Sequence, residues 1–519
     1  VFGGNFKSII KIKVMNRDGV RKSIWQEEIR SFPASVNFEG EYDIAIVGGG
    51  ITGVSTAYEL QRSGKSCILI EASNIGFGTT GGTTAHINNF LDTTYSQAIS
   101  KYGLEDAKLL FESVNDAIAI IEKNIRDNNI DCDFEKKTAQ LFALDEKQSK
   151  QLDDILKGAE KVGCEMNLIN NISFPIPFVK AVGIPGQAQF HPIKYISALC
   201  QSFLDSGGTI VENCFCKSHS EEKDWIIINT SKGIVKAKNL VYATHIPPGV
   251  NMLHFTNAPY RSYAMAFTLK SQNYPQELGY DLMDPYHYYR IQEINGETLL
   301  IAGGEDHKTG HSDDTGVCFT NLENYVRENF DVDLVKYSWS SQYYEPVDGL
   351  PYIGKMPGAS KIYTATGFRG NGMIFGTLSS RIISDLIFEV KTKYRNLFSP
   401  SRIMPIAGFS EFVKETVTVA TDFIKDKLFV EKVSSLAEIN EGEGKVVKYE
   451  GGSYAVYKEK GGSIHLLKST CPHAKCEVRW NSAEISWDCP CHGSRFSVNG
   501  KVLTAPSVTD LTRIREKDL

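Results

Sequence analysis

The chain has 519 residues and a formal net charge of −6, enough length for roughly two to four domains and no basic footprint, so nucleic acid is not an expected partner. Hydrophobic residues make up 42% and charged residues 23%, an ordinary globular balance, and no apolar run approaches the length that crosses a bilayer. Of the 11 cysteines, Cys471, Cys476, Cys489 and Cys491 fall close together and the others are scattered without the spacing of a secreted disulfide framework. The first residues, VFGGNFKSIIKIKVMNRDG, lack a sustained apolar core and a small-residue cleavage site, so a cytoplasmic location is expected. Residues 1–41 read as an N-terminal extension.

Residues 42–47, YDIAIV, form an apolar run suited to a buried parallel strand. Gly48, Gly50 and Gly53 follow at once in G-x-G-x-x-G spacing, then a helical pattern to Gly64 and a second strand, SCILIE, ending on Glu71. The glycines let backbone amides approach a pyrophosphate, the helix N-terminus favours its charge, and the acid suits a ribose hydroxyl. With both strands and the acid in place, the pattern points to a bound dinucleotide.

The segments that follow favour FAD. Residues 76–88, GFGTTGGTTAHIN, resemble the stretch after the ribose acid in the D-amino-acid oxidase/glycine oxidase family. Residues 346–354, PVDGLPYIG, and 361–376, KIYTATGFRGNGMIFG, resemble that family's late flavin-side segments. The resemblance spans about residues 42–400 and implies a Rossmann-type α/β FAD-binding domain with an inserted α+β substrate domain. The flavin segments would be about 42–90, 188–258 and 336–400, and the substrate segments 91–187 and 259–335. It also implies flavin contacts from Thr84 and His86, an adenine contact near Cys216, and amides at Gly370, Gly372 and Met373 beside flavin N1 and O2. Glycines serving only tight turns are the alternative. GTTAH also resembles dimethylglycine dehydrogenase-like relatives in which a His bonds the flavin 8α carbon, so covalent attachment and simple proximity of His86 both stay open.

Residues 104–160 read as long amphipathic helices without obvious chemistry. Around 259–335 the chain turns strand-rich and aromatic. In YHYYR, alternation puts His287 and Tyr289 on one face, Tyr288 and Arg290 on the other. The family resemblance implies a substrate carboxylate held by an Arg with a Tyr nearby, because a guanidinium makes two parallel bonds to a carboxylate. Arg290 and Arg369 are the candidates, with Tyr289 or Tyr288 in support; the competing reading is a solvated sheet-face charge.

Residues 410–428, within a linker at 410–429, show helical apolar spacing after a Ser cap. Short strands from 430 to 519, with turn candidates at Gly451-Gly452 and Gly461-Gly462, suggest a small all-β domain. Within it, Cys471-x-His473 and Cys489-x-x-His492 supply two thiolates and two imidazoles from two loops, which suits a 2Fe–2S cluster. Zinc is the other owner of such a set, though each loop here gives one Cys and one His rather than like pairs. The stretch 471–494 resembles the Rieske boxes of cytochrome bc complexes, which implies a Cys476–Cys491 disulfide. Ser494 would keep its hydroxyl contact, while Phe496, Ala474 and Lys475 stand where that pattern has Tyr, Leu and Gly. Fewer hydrogen bonds and more water favour the oxidised cluster, so the expected potential lies below the bc-type value, within roughly −150 to +300 mV.

A flavin takes two electrons together and a cluster carries them singly. The expected activity is therefore an FAD-dependent amine or amino-acid dehydrogenase or oxidase, with hydride passing to flavin and electrons leaving through the Rieske cluster to an unidentified acceptor. The alternatives are a redox sensor or electron-transfer adaptor without turnover, and a Rieske-type oxygenase, which needs a 2-His-1-carboxylate iron site not evident here. If the cluster is an outlet, the edge carrying His473 and His492 must face the flavin or a docking surface.

Overall fold

A computed structural model describes residues 19–26, 31–32, 38–402, 431–433 and 435–515. The expected linker helix at 410–428 lies outside the described residues, as does most of the N-terminal extension.

The first layer is an eight-stranded sheet whose path runs Tyr352–Lys355, Ile362–Thr366, Ile234–Tyr242, Glu41–Val47, Cys67–Ile70, Thr209–Val211. Glu41–Val47 lies parallel to strands on both sides, and Ile44, Ala45 and Ile46 are fully buried, as a continuous apolar run requires. Helix Ile51–Arg62 follows the glycine turn and ends at Gly64, whose φ of 89° is left-handed. It packs against helix Gly372–Ile387 so closely that a Cβ on Gly376 would fall 2.8 Å from Ile51 Cγ2. This contact ties the two flavin-side segments together, although they stand at opposite ends of the sequence.

The second layer is a nine-stranded sheet, ordered Val332–Pro346, Asn257–Leu269, Glu297–Lys308, Tyr288–Ile294, Leu278–Asp281, Glu135–Ala143, Lys180–Gln189, His86–Ile87, with Asn167–Ile169 beside Lys180–Gln189. Strand Val332–Pro346 pairs with Asn257–Leu269 from Val332 to Pro346, so the inserted sheet continues to Pro346 rather than stopping near 335. The helices expected within 104–160 are Leu104–Asp127 and Glu146–Val162. Strand Glu135–Ala143 separates them; its alternation is visible only in its buried second half, which is why the helical reading passed over it. No helix among the described residues is long and apolar enough to cross a membrane.

The C-terminal part holds two four-stranded sheets, Glu431–Lys432 with Gly444–Tyr449, Gly452–Lys458 and Ile464–Lys468, and Arg479–Asn481 with Ser486–Asp488, Arg495–Ser497 and Val502–Thr504. Tyr449 pairs with Gly452 across the first expected hairpin turn, where Gly451 has a φ of 79°. This domain docks on the edge strands of the inserted sheet through buried polar pairs. Arg261 Nη2 lies 3.6 Å from Asp488 Oδ2, and Ser340 donates to Glu484 Oε1 through its amide (2.9 Å) and hydroxyl (2.7 Å).

Candidate flavin and cluster sites

A cavity of about 520 Å³ runs between the two sheets, from Glu71 and Cys216 past the glycine turn to Tyr288 and Arg369. Gly48 has a φ of 111°, and a Cβ there would meet Ala243 O at 2.4 Å. A Cβ on Gly53 would stand 1.8 Å from Gly48 O, so both positions exclude any side chain. Gly50 is the N-cap of helix Ile51–Arg62 and supplies no side-chain cap, although Thr80 Oγ1 accepts from the Ile51 amide at 3.0 Å. Glu71 accepts from the amides of Gly49 (2.6 Å) and Ser73 (2.8 Å), while burial holds its carboxyl above the usual range. A glycine cradle at a helix start and an acid beyond it fit an FAD pyrophosphate and ribose.

Thr84, His86 and Cys216 line the same cavity, as the sequence suggested. His86 Nε2 donates to Tyr289 O (3.3 Å), so its Nδ1 is the acceptor for the Thr84 hydroxyl (3.1 Å). Burial, with Arg290 nearby, pushes this imidazole down to about 3, so it is neutral. Gly372 and Met373 open helix Gly372–Ile387, whose N-cap Asn371 makes no side-chain cap. Gly370 differs from expectation: its amide donates to Asp92 Oδ2 at 2.7 Å and is therefore spent on a side chain rather than offered to a flavin oxygen.

The carboxylate anchors need correction. The alternation in YHYYR holds, but the cavity covers only one end of the face that Tyr288 and Arg290 share. Tyr288 lines the cavity; Arg290 is fully buried beyond it, its Nη1 donating to Thr84 O (2.9 Å), Ala85 O (3.1 Å) and Phe190 O (3.2 Å). Those carbonyls make Arg290 a clamp on the Thr84–Ala85 turn, outside the lining of the cavity. Tyr289 faces the opposite way, packing on Phe174 and Phe330. Arg369 does line the cavity, but its Nη2 pairs with Glu345 at 3.0 Å and its Nη1 with Thr93 at 3.0 Å. The sequence did not single out Asp92, Asp306, Tyr343 or Tyr344, which also line the cavity. The last two stand beside the aromatic signal of SQYYEP, whereas nothing local marks the two acids.

In the C-terminal boxes, Cys476 and Cys491 form the implied disulfide. Cys471 and Cys489 are buried and share a hydrogen bond between sulfurs, which draws the Cys471 thiol down to about 7 and drives that of Cys489 up. Ser494 also bonds Cys471, the expected hydroxyl contact. Nδ1 of His473 and Nδ1 of His492 are buried with no hydrogen-bond partner. Two sulfurs side by side and two orphaned imidazole nitrogens on adjoining loops are the donor set a 2Fe–2S cluster needs. Phe496 is fully buried and offers no hydroxyl, and Lys475 has a φ of 64°, which explains why a glycine suits that position.

The box edge faces the flavoprotein part. His473 Nε2 lies 3.0 Å from His254 Nδ1 and 3.1 Å from Gly249 O. Tyr344 donates its hydroxyl to His492 O at 3.3 Å, and Gln342 Nε2 donates to Gly493 O at 2.8 Å. A Cβ on Gly493 would come within 2.7 Å of Gln342 Nε2 and of the Tyr344 hydroxyl, so glycine permits the close seat. Val502, Leu503, Thr504, Ala505, Ser507 and Val508 of the C-terminal domain form part of the flavin cavity wall.

Together, the cradle and the boxes describe a flavoprotein oxidoreductase carrying its own iron–sulfur domain. Residues 43–386 match the family described as FAD dependent oxidoreductase, to which this chain belongs, and residues 429–515 match the Rieske [2Fe-2S] domain. The chain binds FAD and a 2Fe–2S cluster. It is 32% identical over 490 residues, 94% of this chain and 96% of the relative, to a putative Rieske 2Fe-2S iron-sulfur protein, YhfW, of Bacillus subtilis (strain 168). It is 24% identical over 367 residues, 66% of this chain and 83% of the relative, to the gamma-glutamylputrescine oxidoreductase of Escherichia coli (strain K12). The crystal structure of glycine oxidase from Geobacillus kaustophilus shares the fold with a TM-score of 0.60 at 19% identity, covering 70% of this chain and 99% of that one.

Proposed function

We propose that this chain oxidises a C–N bond of a small amine or amino acid and passes the electrons through its Rieske cluster to a separate one-electron acceptor. The observation that carries this reading is Tyr344, whose side chain lines the flavin cavity while its hydroxyl holds His492 O. One residue thus joins the cavity wall to a cluster loop. Bound FAD supplies a two-electron acceptor and the cluster a one-electron acceptor. The residues around them orient and insulate. First-turn amides of helix Gly372–Ile387 favour negative charge at the cavity end. Tyr288, Ser262 and Tyr343 line the wall of the reaction space. Buried contacts between Arg261 and Asp488 and between Ser340 and Glu484 keep the cluster loops seated. The relative named gamma-glutamylputrescine oxidoreductase supports an amine nitrogen as the site of reaction.

Anaerobic addition of a panel of amines and amino acids tests the reading. Flavin bleaching followed by the paramagnetic signal of the reduced cluster is expected. Bleaching that leaves the cluster oxidised would remove its role as outlet.

A further inference from the structure

The reacting end of the flavin cavity carries more acid than base. Asp306, on strand Glu297–Lys308, accepts a hydrogen bond from Ser262 through Oδ1 and one from Tyr343 through Oδ2 at 2.9 Å. Tyr288 meets the same Ser262 hydroxyl at 2.9 Å. Asp92 stands across the cavity, its Oδ2 held by the Gly370 amide. Arg369 is the one Arg or Lys among the described residues that line this cavity, and Glu345 already neutralises it at 3.0 Å. His86 adds no charge, and Arg290 is spent on backbone carbonyls outside the cavity.

A substrate carboxylate here would meet Asp306 and Asp92, while the charge of Arg369 is already balanced by Glu345 and only its Nε is left without a hydrogen-bond partner. An ammonium group would find the opposite: two carboxylates and the hydroxyls of Tyr288 and Ser262, groups that accept its three donors. Building on the C–N oxidation reading, we infer that the cavity selects an alkyl amine or polyamine lacking an α-carboxylate, with Asp306 as its anchor and Asp92 in support. Burial pushes Asp306 up to about 7, Asp92 and Glu345 adding to the shift while Ser262 and Tyr343 oppose it. A cation supplies the counter-charge that this carboxylate lacks.

The experiment uses the full FAD- and cluster-loaded chain, titrated anaerobically with butylamine, putrescine, acetate and pyrrole-2-carboxylate, reading perturbation of the flavin spectrum. The amines should perturb it with saturable affinity and the carboxylates should not. Asp306→Asn should weaken amine affinity by about tenfold or more, the loss of one charge-assisted bond. Ser262→Ala, which leaves the acid in place, provides a second variant should the first fold poorly, and it should weaken amine binding by a smaller factor. Carboxylates that bind better than amines, or variants with unchanged amine affinity, overturn the assignment. Saturable amine binding without bleaching supports the amine site and removes the oxidation reading, whereas bleaching by glycine or sarcosine with tight carboxylate binding does the reverse.

Discussion

Nδ1 of His254, from the flavoprotein part, lies 3.0 Å from Nε2 of the cluster-box residue His473. The protons on both rings follow from their other partners. His473 Nε2 is 3.1 Å from Gly249 O, which can only accept, so that nitrogen carries hydrogen and His254 Nδ1 faces it with a lone pair; the His254 hydrogen is then on Nε2, 2.8 Å from Pro247 O and 3.0 Å from the Asn251 amide nitrogen. His473 thus shares its Nε2 hydrogen between Gly249 O and His254 Nδ1, and its Nδ1 is the nitrogen without a hydrogen-bond partner. Burial pushes His254 down to about 4, so it remains a neutral acceptor at ordinary pH.

A hydrogen bond accepted from the outer nitrogen of a metal-bound imidazole raises ligand basicity and favours the oxidised metal. With Gly249 O left as the second acceptor, His254→Ala is expected to raise the cluster midpoint by no more than about 40 mV, the equivalent of roughly 1 kcal/mol on a one-electron couple. Redox titration followed by electron paramagnetic resonance measures it; identical g-values and midpoint in the variant would show that the contact has no bearing on the cluster.

Tyr344→Phe removes the hydroxyl bond to His492 O and the one that the hydroxyl accepts from Gln342 Nε2. Flavin reduction by dithionite should be unaffected, while electron transfer from reduced flavin to the cluster slows severalfold. Stopped-flow absorbance resolves the two steps, and an unchanged second step would place the route elsewhere.

Asp488 sits between two buried arginines, 3.0 Å from Arg495 Nε and 3.6 Å from Arg261 Nη2. Asp488→Asn strands both cations and is expected to cost about 3–5 kcal/mol. Arg261→Met should cost much less, because Arg261 Nε and Nη2 make no hydrogen bonds and Arg495 alone still balances the acid. Denaturant unfolding of the loaded protein separates the two, and equal losses would contradict the argument.

His287 sets a pH dependence. Burial alone would lower its pKa, but the hydrogen bond between Nδ1 and Asp281 (2.8 Å) and the Glu305 carboxylate 3.8 Å from Nε2 outweigh that and raise it to about 9. A pKa raised above the unfolded value of about 6.5 means the stabilisation is complete below that pH and is lost as pH climbs through 9. The size is about 3 kcal/mol at most. Melting temperature should therefore fall between pH 6.5 and 9, and His287→Gln should flatten that slope. A wild-type melting curve that is level over this window would remove His287 as its cause.

Local patterns carried the most information in the sequence. The glycine turn with Glu71, and the two boxes with their Cys476–Cys491 bridge, are short-range arrangements whose chemistry depends on spacing alone. Arg290 was misplaced for a different reason. Alternation assigns a residue to a face of a strand, but whether that face meets a cavity or a roof of carbonyls depends on the distant turn Thr84–Ala85. Asp306 and Tyr343 meet across 37 residues and His254 meets His473 across 219, distances over which a single sequence carries no signal.

The strand and turn from Val502 to Val508 form a wall of the flavin cavity. Residence of the flavin is thereby bound to the seating of the iron–sulfur domain, so any event that lifts this domain also unlatches the nucleotide. Damage to the cluster loops would then be read out as loss of yellow colour as well as loss of iron.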